Sequence, residues 1–127
     1  MNQSKKSILI VDDEQDIGII MKRAIEREAD FEVTYINNPV EALSRFKRGL
    51  CDIVLIDIRM PQMDGFELYL KMKKIDDKIK ACFLTAFEID RFMYNKQKYP
   101  ELQEICFIKK PVTMKELIES IRRRLLE

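Results

Sequence analysis

Asp12 and Asp13 stand side by side after the apolar run 8–11, and a third carboxylate, Asp57, ends the apolar run 53–56. Thr85 closes a further apolar stretch, and Lys109-Lys110-Pro111 follows another. Carboxylates gathered within a few ångströms repel one another and raise each other's pKa unless a cation intervenes. The chain has no histidine and no CxxC pair, so such a cluster would offer oxygen alone, which favours Mg²⁺ or Mn²⁺ over zinc. Mg²⁺ keeps several waters and recruits phosphate oxygens. A hard cation, a nucleophilic carboxylate, a hydroxyl and an ammonium together suit phosphoryl transfer. Asp57 is the better nucleophile, because it stands alone after a buried run, whereas Asp12 and Asp13 are paired for a metal. An Asp-Asp pair by itself is an ordinary loop or N-cap feature; its conjunction with Asp57 and a lysine gives it weight. The lack of histidine also excludes an imidazole base or a His-based triad.

These residues act together only if the chain brings them to one rim. Residues 7–11 (SILIV) and 52–56 (DIVLI) are short continuous apolar runs, as central parallel strands should be, and residues 79–84 (IKACFL) and 105–108 (ICFI) supply two more. Residues 31–36 (FEVTYI) alternate instead: Phe31, Val33 and Tyr35 share one face and Glu32 and Thr34 the other, the pattern of an edge strand exposed on one side. Between the strands, residues 14–28 place Ile17, Ile20, Met21, Ala24 and Ile25 at helical spacing. Residues 38–46 open with Asn38 as N-cap, Pro39 at N1 and Glu41 at N3. Residues 64–74 repeat that cap logic with Asp64 and Glu67, and residues 113–126 with Thr113 and Glu116. Residues 86–97 carry Ile89, Phe92 and Met93 on one face, and Pro100 limits that helix.

Five strand–helix alternations predict an α/β fold: a (βα)5 doubly wound parallel sheet with right-handed crossovers and helices on both faces. The amphipathic second strand predicts the flavodoxin-like order 2-1-3-4-5. In such a sheet the working site lies beyond the carboxyl ends of the strands, near the switch point between the first and third. Asp12, Asp13, Asp57, Thr85 and the Lys109-Lys110-Pro111 segment all fall on that rim.

The 127 residues suit one domain, 1–127, with one hydrophobic core. A net charge of +1 gives no reason to expect nucleic acid or an anionic membrane as a partner. No apolar stretch reaches transmembrane length, and "MNQSKKSILIVDDE" lacks a signal-peptide pattern. Cys51, Cys82 and Cys106, odd in number and widely spaced, read as reduced, mostly buried thiols of a cytoplasmic protein. Met60, Met63 and Met72 read as core or turn filler, and Pro61 and Gly65 fit a turn before a helix. Arg122-Arg123-Arg124 reads as a solvated helix face complementing the helix C-terminus, not as a nucleic-acid patch.

"ILIVDDE", "VLIDIRMPQMDGFEL", "FLTA" and "FIKKPV" occur in that order. They resemble the acidic pair, the D-x-x-M-P-x-M-D-G phosphoacceptor segment, the switch threonine and the Lys-Pro of the receiver domain of two-component response regulators. The resemblance extends over essentially the whole chain and implies the CheY-like fold. It implies that Asp57 takes a phosphoryl group from a histidine kinase or phosphotransfer protein. It implies Mg²⁺, with Mn²⁺ as substitute, held directly by Asp13, Asp57 and the carbonyl of Arg59, with Asp12 acting through water. Thr85 is then expected to bond a phosphoryl oxygen and Lys110 to pair with the phosphoryl group, with a cis Lys110-Pro111 bond. Phe107 occupies the aromatic switch position, and a plain strand residue facing the core is the other reading of it. The implied function is a signalling switch, not an enzyme acting on a separate substrate. Its fourth helix, fifth strand and fifth helix form the face that controls an unknown effector, as a monomer or a phosphorylation-linked homodimer. Arg59 and Phe87, two residues after Asp57 and Thr85, are expected to flank the approach of hydrolytic water and to slow it. The stretch from Thr85 to Lys110 is longer than the family usually has, with the extra residues around 94–103.

Other readings fit less well. A flavodoxin-type carrier needs a Ser/Thr/Gly-rich loop after the first strand, where "VDDEQD" would repel a phosphate. A haloacid-dehalogenase-type phosphatase would want an acid two residues after its nucleophile, where Arg59 stands. A degenerate receiver serving only as a binding adaptor would not need Asp12, Asp13, Asp57, Thr85 and Lys110 together.

Overall fold

In the computed structural model, which describes residues 5–86 and 106–127, the continuous apolar runs form the middle of a sheet. β1 (Lys6–Val11), β3 (Ile53–Asp57) and β4 (Lys80–Thr85) are buried on both faces over most of their length. β2 (Phe31–Ile36) exposes Glu32 and Thr34, and β5 (Cys106–Lys109) is partly covered; these two are the edges. All pairings are parallel and the order is β2-β1-β3-β4-β5, as the patterning predicts.

The helices start where side chains take up orphan amides. α2 (Pro39–Arg45) begins with Asn38 accepting the Glu41 amide at 3.0 Å. In α3 (Gly65–Ile75) Asp64 accepts from Glu67 at 2.9 Å, and in α4 (Met114–Leu126) Thr113 accepts from Glu116 at 3.1 Å. α1 (Gln15–Glu28) lacks a side-chain cap of its own. The helix expected at 86–97, the long stretch around 94–103 and Phe87 lie outside the described residues.

Because strand side chains alternate, one strand set feeds two cores. Leu9, Val11, Val54, Ile56, Ala81 and Phe83 pack toward α2 and α3, against Ala42, Phe66, Leu68 and Met72. Ile8, Ile10, Ile53, Leu55, Cys82 and Leu84 pack toward α1 and α4, against Met21, Ile25, Leu117 and Ile121. Residues such as Ile10 and Leu55 are fully buried, so truncating either to Ala costs about 2–5 kcal/mol. No helix among the described residues is long and apolar enough to cross a membrane.

Three readings of the sequence are corrected. The buried stripe of α1 is Gly18, Met21 and Ile25, whereas Ile17 is exposed and Ile20 is 66% exposed; the stripe is rotated because a tyrosine from β2 occupies Gly18. Arg122 and Arg123 are exposed, as the reading of a solvated face expects, but Arg124 is not: its guanidinium reaches the Ala81 carbonyl at 3.4 Å. Cys82 and Cys106 are not free thiols. They are register partners on β4 and β5, their Cα atoms 4.6 Å apart, and they form a disulfide. A separation of 24 residues in sequence hides an adjacency that parallel pairing creates. Cys51 stays a buried thiol, pushed up to about 12 by burial and by the nearby Asp52 and Asp76 carboxylates.

Candidate functional site

Parallel pairing brings the carboxyl ends of the strands to one rim. Val11 ends level with Ile56, Asp57 pairs with Leu84, and Thr85 pairs with Lys109. The last residues of β3 and β4 are therefore Asp57 and Thr85, with Asp12 and Asp13 just beyond β1 and Lys110 just beyond β5. Asp12, Asp13 and Asp57 each present a carboxylate oxygen, and these oxygens lie within 4.8 Å of one another. Asp12 is 0% exposed and Asp57 7%, forming the floor, while Asp13 is exposed at the mouth.

Every polar atom of Asp12 is engaged. Its amide donates to the Ile36 carbonyl at 3.4 Å, and its own carbonyl accepts the Tyr35 hydroxyl at 2.6 Å. Oδ1 accepts the Glu14 amide at 2.9 Å, and Oδ2 accepts the Lys110 ammonium at 2.9 Å. Lys110 also lies 3.7 Å from the Glu14 carboxylate. Burial alone would lower the lysine pKa; the Asp12 hydrogen bond and the charges of Asp57, Asp12 and Glu14 outweigh it and hold the group above its usual value. Asp57 shows the opposite imbalance. Burial pushes it up to about 7, Lys110 pulls against that, and Asp12 and Asp13 add to it. One ammonium does not offset three clustered carboxylates. An all-oxygen donor set, two members buried, with residual negative charge fits a small hard divalent cation.

The loop after β3 is anchored at both ends. The Gly65 amide donates to the Ile58 carbonyl at 2.9 Å, and the Met63 amide to the Pro61 carbonyl at 2.8 Å. A side chain at residue 65 would put its Cβ 2.7 Å from the Asp57 carbonyl and 3.0 Å from the Ile58 Cα, so Gly65 lets α3 abut the end of β3. Gln62 takes a φ of 75° here, and its side-chain carbonyl accepts from the Asn38 side-chain Nδ2 at 3.3 Å. Arg59 lies exposed on this loop. The Lys110-Pro111 bond is cis, and the Lys110 amide donates to the Thr85 carbonyl at 2.7 Å. Thr85 is buried. Phe107 is partly buried, 6.2 Å from the Phe66 ring and 6.2 Å from the Phe83 ring, on the core face beside α3.

The structure thus gathers Asp12, Asp13, Asp57 and Lys110 into one pocket with Thr85 beside it, and sets Phe107 in the neighbouring core. The sequence reading missed Tyr35, Glu14 and Gly18. Tyr35 alone left a trace: an inward-facing tyrosine near the end of an edge strand needs a partner for its hydroxyl.

Comparison with known proteins agrees with this fold. The family model described as the response regulator receiver domain matches residues 8–122. Sporulation initiation phosphotransferase F of Bacillus subtilis is 31% identical, over 94% of this chain and 94% of that protein. Response regulator receiver protein CpdR of Brucella abortus is 28% identical over 95% and 98%. A CheY-like receiver domain from Methanospirillum hungatei superposes with a TM-score of 0.79 at 28% identity, covering 96% of this chain and 94% of that one. The response regulator TrrA of Thermotoga maritima, solved in complex with Mg(2+)-BeF, gives 0.78 at 30% identity, covering 93% and 97%. With the family model spanning most of the chain, and relatives matched nearly end to end, this chain belongs to the response regulator receiver domain family.

Proposed function

We propose that this chain is a phosphorylation-activated switch in which Asp57 accepts a phosphoryl group from a histidine kinase or a phosphotransfer protein. The observation that carries this is the cluster of Asp12, Asp13 and Asp57 with the Lys110 ammonium at its edge. Asp13, Asp57 and the Arg59 carbonyl would hold Mg²⁺, with Asp12 behind; the cation supplies charge neutralisation for the entering phosphoryl oxygens. An Asp57 carboxylate oxygen attacks phosphorus. The P–N bond to the donor imidazole breaks, and its electron pair leaves with the imidazole. Asp57 must be ionised to attack, and an ammonium 2.9 Å from the adjacent Asp12 favours that form.

The new phosphoryl group adds about −1.5 to −2 charges at neutral pH. It competes with Asp12 for Lys110 and offers acceptors to the Thr85 hydroxyl. Those movements bias Phe107 and the face built on β5 and α4, which addresses an effector.

Incubation with acetyl phosphate and Mg²⁺ followed by intact mass measurement tests the reading. The expected result is a gain of one phosphoryl group, lost in Asp57→Asn and in Asp13→Ala. Undiminished phosphorylation in EDTA would overturn the metal assignment. Amide shifts on addition of beryllofluoride that stay confined to the Asp57 pocket would overturn the switch.

A further inference from the structure

The acidic loop is held by a residue from the edge of the sheet. Tyr35 is the fifth residue of β2, and its hydroxyl donates the 2.6 Å hydrogen bond to the main-chain carbonyl of Asp12. That carbonyl lies past the end of the β1–β2 ladder, whose last register pair is Val11 with Ile36. A buried carbonyl there has lost its strand partner and needs another donor. The tyrosine ring reaches it because α1 carries Gly18 at the crossing point. A Cβ at residue 18 would overlap the ring, with Cε1 and Cζ its nearest atoms. Burial, then the charges of Asp12, Asp13 and Asp16, push the Tyr35 pKa up to about 12, so the hydroxyl remains a donor throughout the ordinary pH range.

The bond acts on one particular peptide plane. The Asp12 carbonyl and the Asp13 amide belong to the same rigid unit, so fixing the carbonyl sets ψ of Asp12 and φ of Asp13 together. Both carboxylates then point where they do because this plane cannot turn. Asp12 has side-chain anchors besides, from the Glu14 amide and Lys110. Asp13 is exposed, and the one side-chain hydrogen bond recorded for it is to Asp57, itself a member of the cation cluster, so the backbone that carries it weighs more in its placement.

We propose that Tyr35, seated on Gly18, is a positioning residue that sets the Asp12–Asp13 peptide plane and thereby the geometry with which the acidic pair receives a divalent cation. This rests on the phosphoacceptor reading above. In Tyr35→Phe the ring stays on Gly18 and only the donor is lost, leaving a buried carbonyl unpaired and free to turn toward water. In Gly18→Ala the ring is displaced and the same bond breaks. The two variants share one consequence by different routes.

The test titrates the full chain with MgCl₂ alone, following backbone amide shifts, and measures phosphorylation by acetyl phosphate across the same Mg²⁺ range. The Asp13 amide should shift in Tyr35→Phe before any metal is added. Its Mg²⁺ dissociation constant should rise about threefold to tenfold, the usual worth of one hydrogen bond. Phosphorylation should slow by the same factor at low Mg²⁺ and recover at saturating Mg²⁺, because the defect lies in cation binding. Gly18→Ala should behave alike, and the double variant should be no worse than the more impaired single. A Tyr35→Phe protein that loses thermal stability but titrates like the parent overturns the inference, as does one that fails to fold, since the hydroxyl is then structural. Independent, multiplicative losses in the double variant also overturn it. If the parent itself neither binds Mg²⁺ nor gains a phosphoryl group, the phosphoacceptor reading falls, and this inference with it; a parent that does both, beside an unaltered Tyr35→Phe, refutes the positioning role alone.

Discussion

Replacing Asp57 by Asn should stabilise the metal-free protein, by an amount that grows with pH. The carboxyl sits at the floor of the site, 7% exposed, and burial with the Asp12 and Asp13 charges raises its pKa from 3.8 to about 7 despite Lys110. Between those two values the folded chain holds a proton that the unfolded chain has released, so stability falls as pH rises through this window. Below pH 4 both states are protonated and the site costs nothing. Above pH 7 the whole penalty is present: about three pKa units at about 1.36 kcal/mol each, or roughly 4 kcal/mol. Water entering past the exposed Asp13 screens part of it, and roughly 2–4 kcal/mol is the expected range. Asparagine keeps the shape and removes the charge, so Asp57→Asn should match the parent within about 0.5 kcal/mol at pH 4 and exceed it by about 2–4 kcal/mol at pH 8. Urea unfolding at both pH values in EDTA measures the difference, and Mg²⁺ should narrow it at pH 8 by stabilising only the parent. A gain that is the same at both pH values, or a variant less stable than the parent at pH 8, would refute the reasoning.

Three further outcomes are expected. Lys110→Met should tighten Mg²⁺ binding about tenfold, because an ammonium paired with a carboxylate of the same cluster would oppose a divalent cation held there by roughly 1–2 kcal/mol in solvent-like surroundings; its amide-shift response to beryllofluoride should nonetheless weaken around Phe107, and unchanged Mg²⁺ affinity would count against the lysine's influence on the cation site. Gln62 has a φ of 75°, where a β-branched side chain is strained, so Gln62→Val should cost about 1 kcal/mol or more in thermal unfolding while Gln62→Gly is neutral or stabilising. Arg59→Asn should speed loss of the phosphoryl group several-fold, since an amide beside the mouth can orient a water that arginine cannot; a lifetime unchanged by this substitution would remove Arg59 from control of hydrolysis.

The strands were legible because burial on both faces leaves a mark that does not depend on the partner. Val54, Leu55 and Ile56 are apolar whichever helices cover them, and Glu32 and Thr34 betray an edge wherever it lies. The caps at Asn38, Asp64 and Thr113 were legible for a similar reason: each bond closes within three residues. What stayed hidden depends on pairing at a distance. Helical spacing counted Ile17 and Ile20 toward the core stripe of α1, because nothing local reveals that Tyr35 takes the space above Gly18. Cys82 and Cys106 meet only once β4 and β5 are in register. Asp12, Asp13 and Asp57 were readable as a cluster because the doubly wound topology fixes where strand ends meet. Which atom holds each carboxylate was not, since Lys110 reaches Asp12 across 98 residues of sequence.

Lys110 links the resting site to the proposed switched one. Its backbone is tied to β4 through the Thr85 carbonyl at 2.7 Å, and β4 is tied to β5 again by the Cys82–Cys106 disulfide. The ends of the two strands are thus coupled, and the group most easily moved is the lysine side chain. In the resting site that side chain rests on Asp12 and Glu14, at 2.9 and 3.7 Å. A doubly charged group on Asp57 would outbid a single carboxylate for it, and the Asp12 oxygen it leaves would need water or the cation's hydration shell in exchange. The reward for that exchange is largest when a cation already offsets the charge on Asp12 and Asp13. Phosphorylation and cation binding should thus reinforce each other, with the lysine as the group that registers both. Phe107 stands two residues before Lys109 on β5, 6.2 Å from each of the paired Phe66 and Phe83 rings, so its packing is the nearest element that a moved Lys110 side chain can disturb.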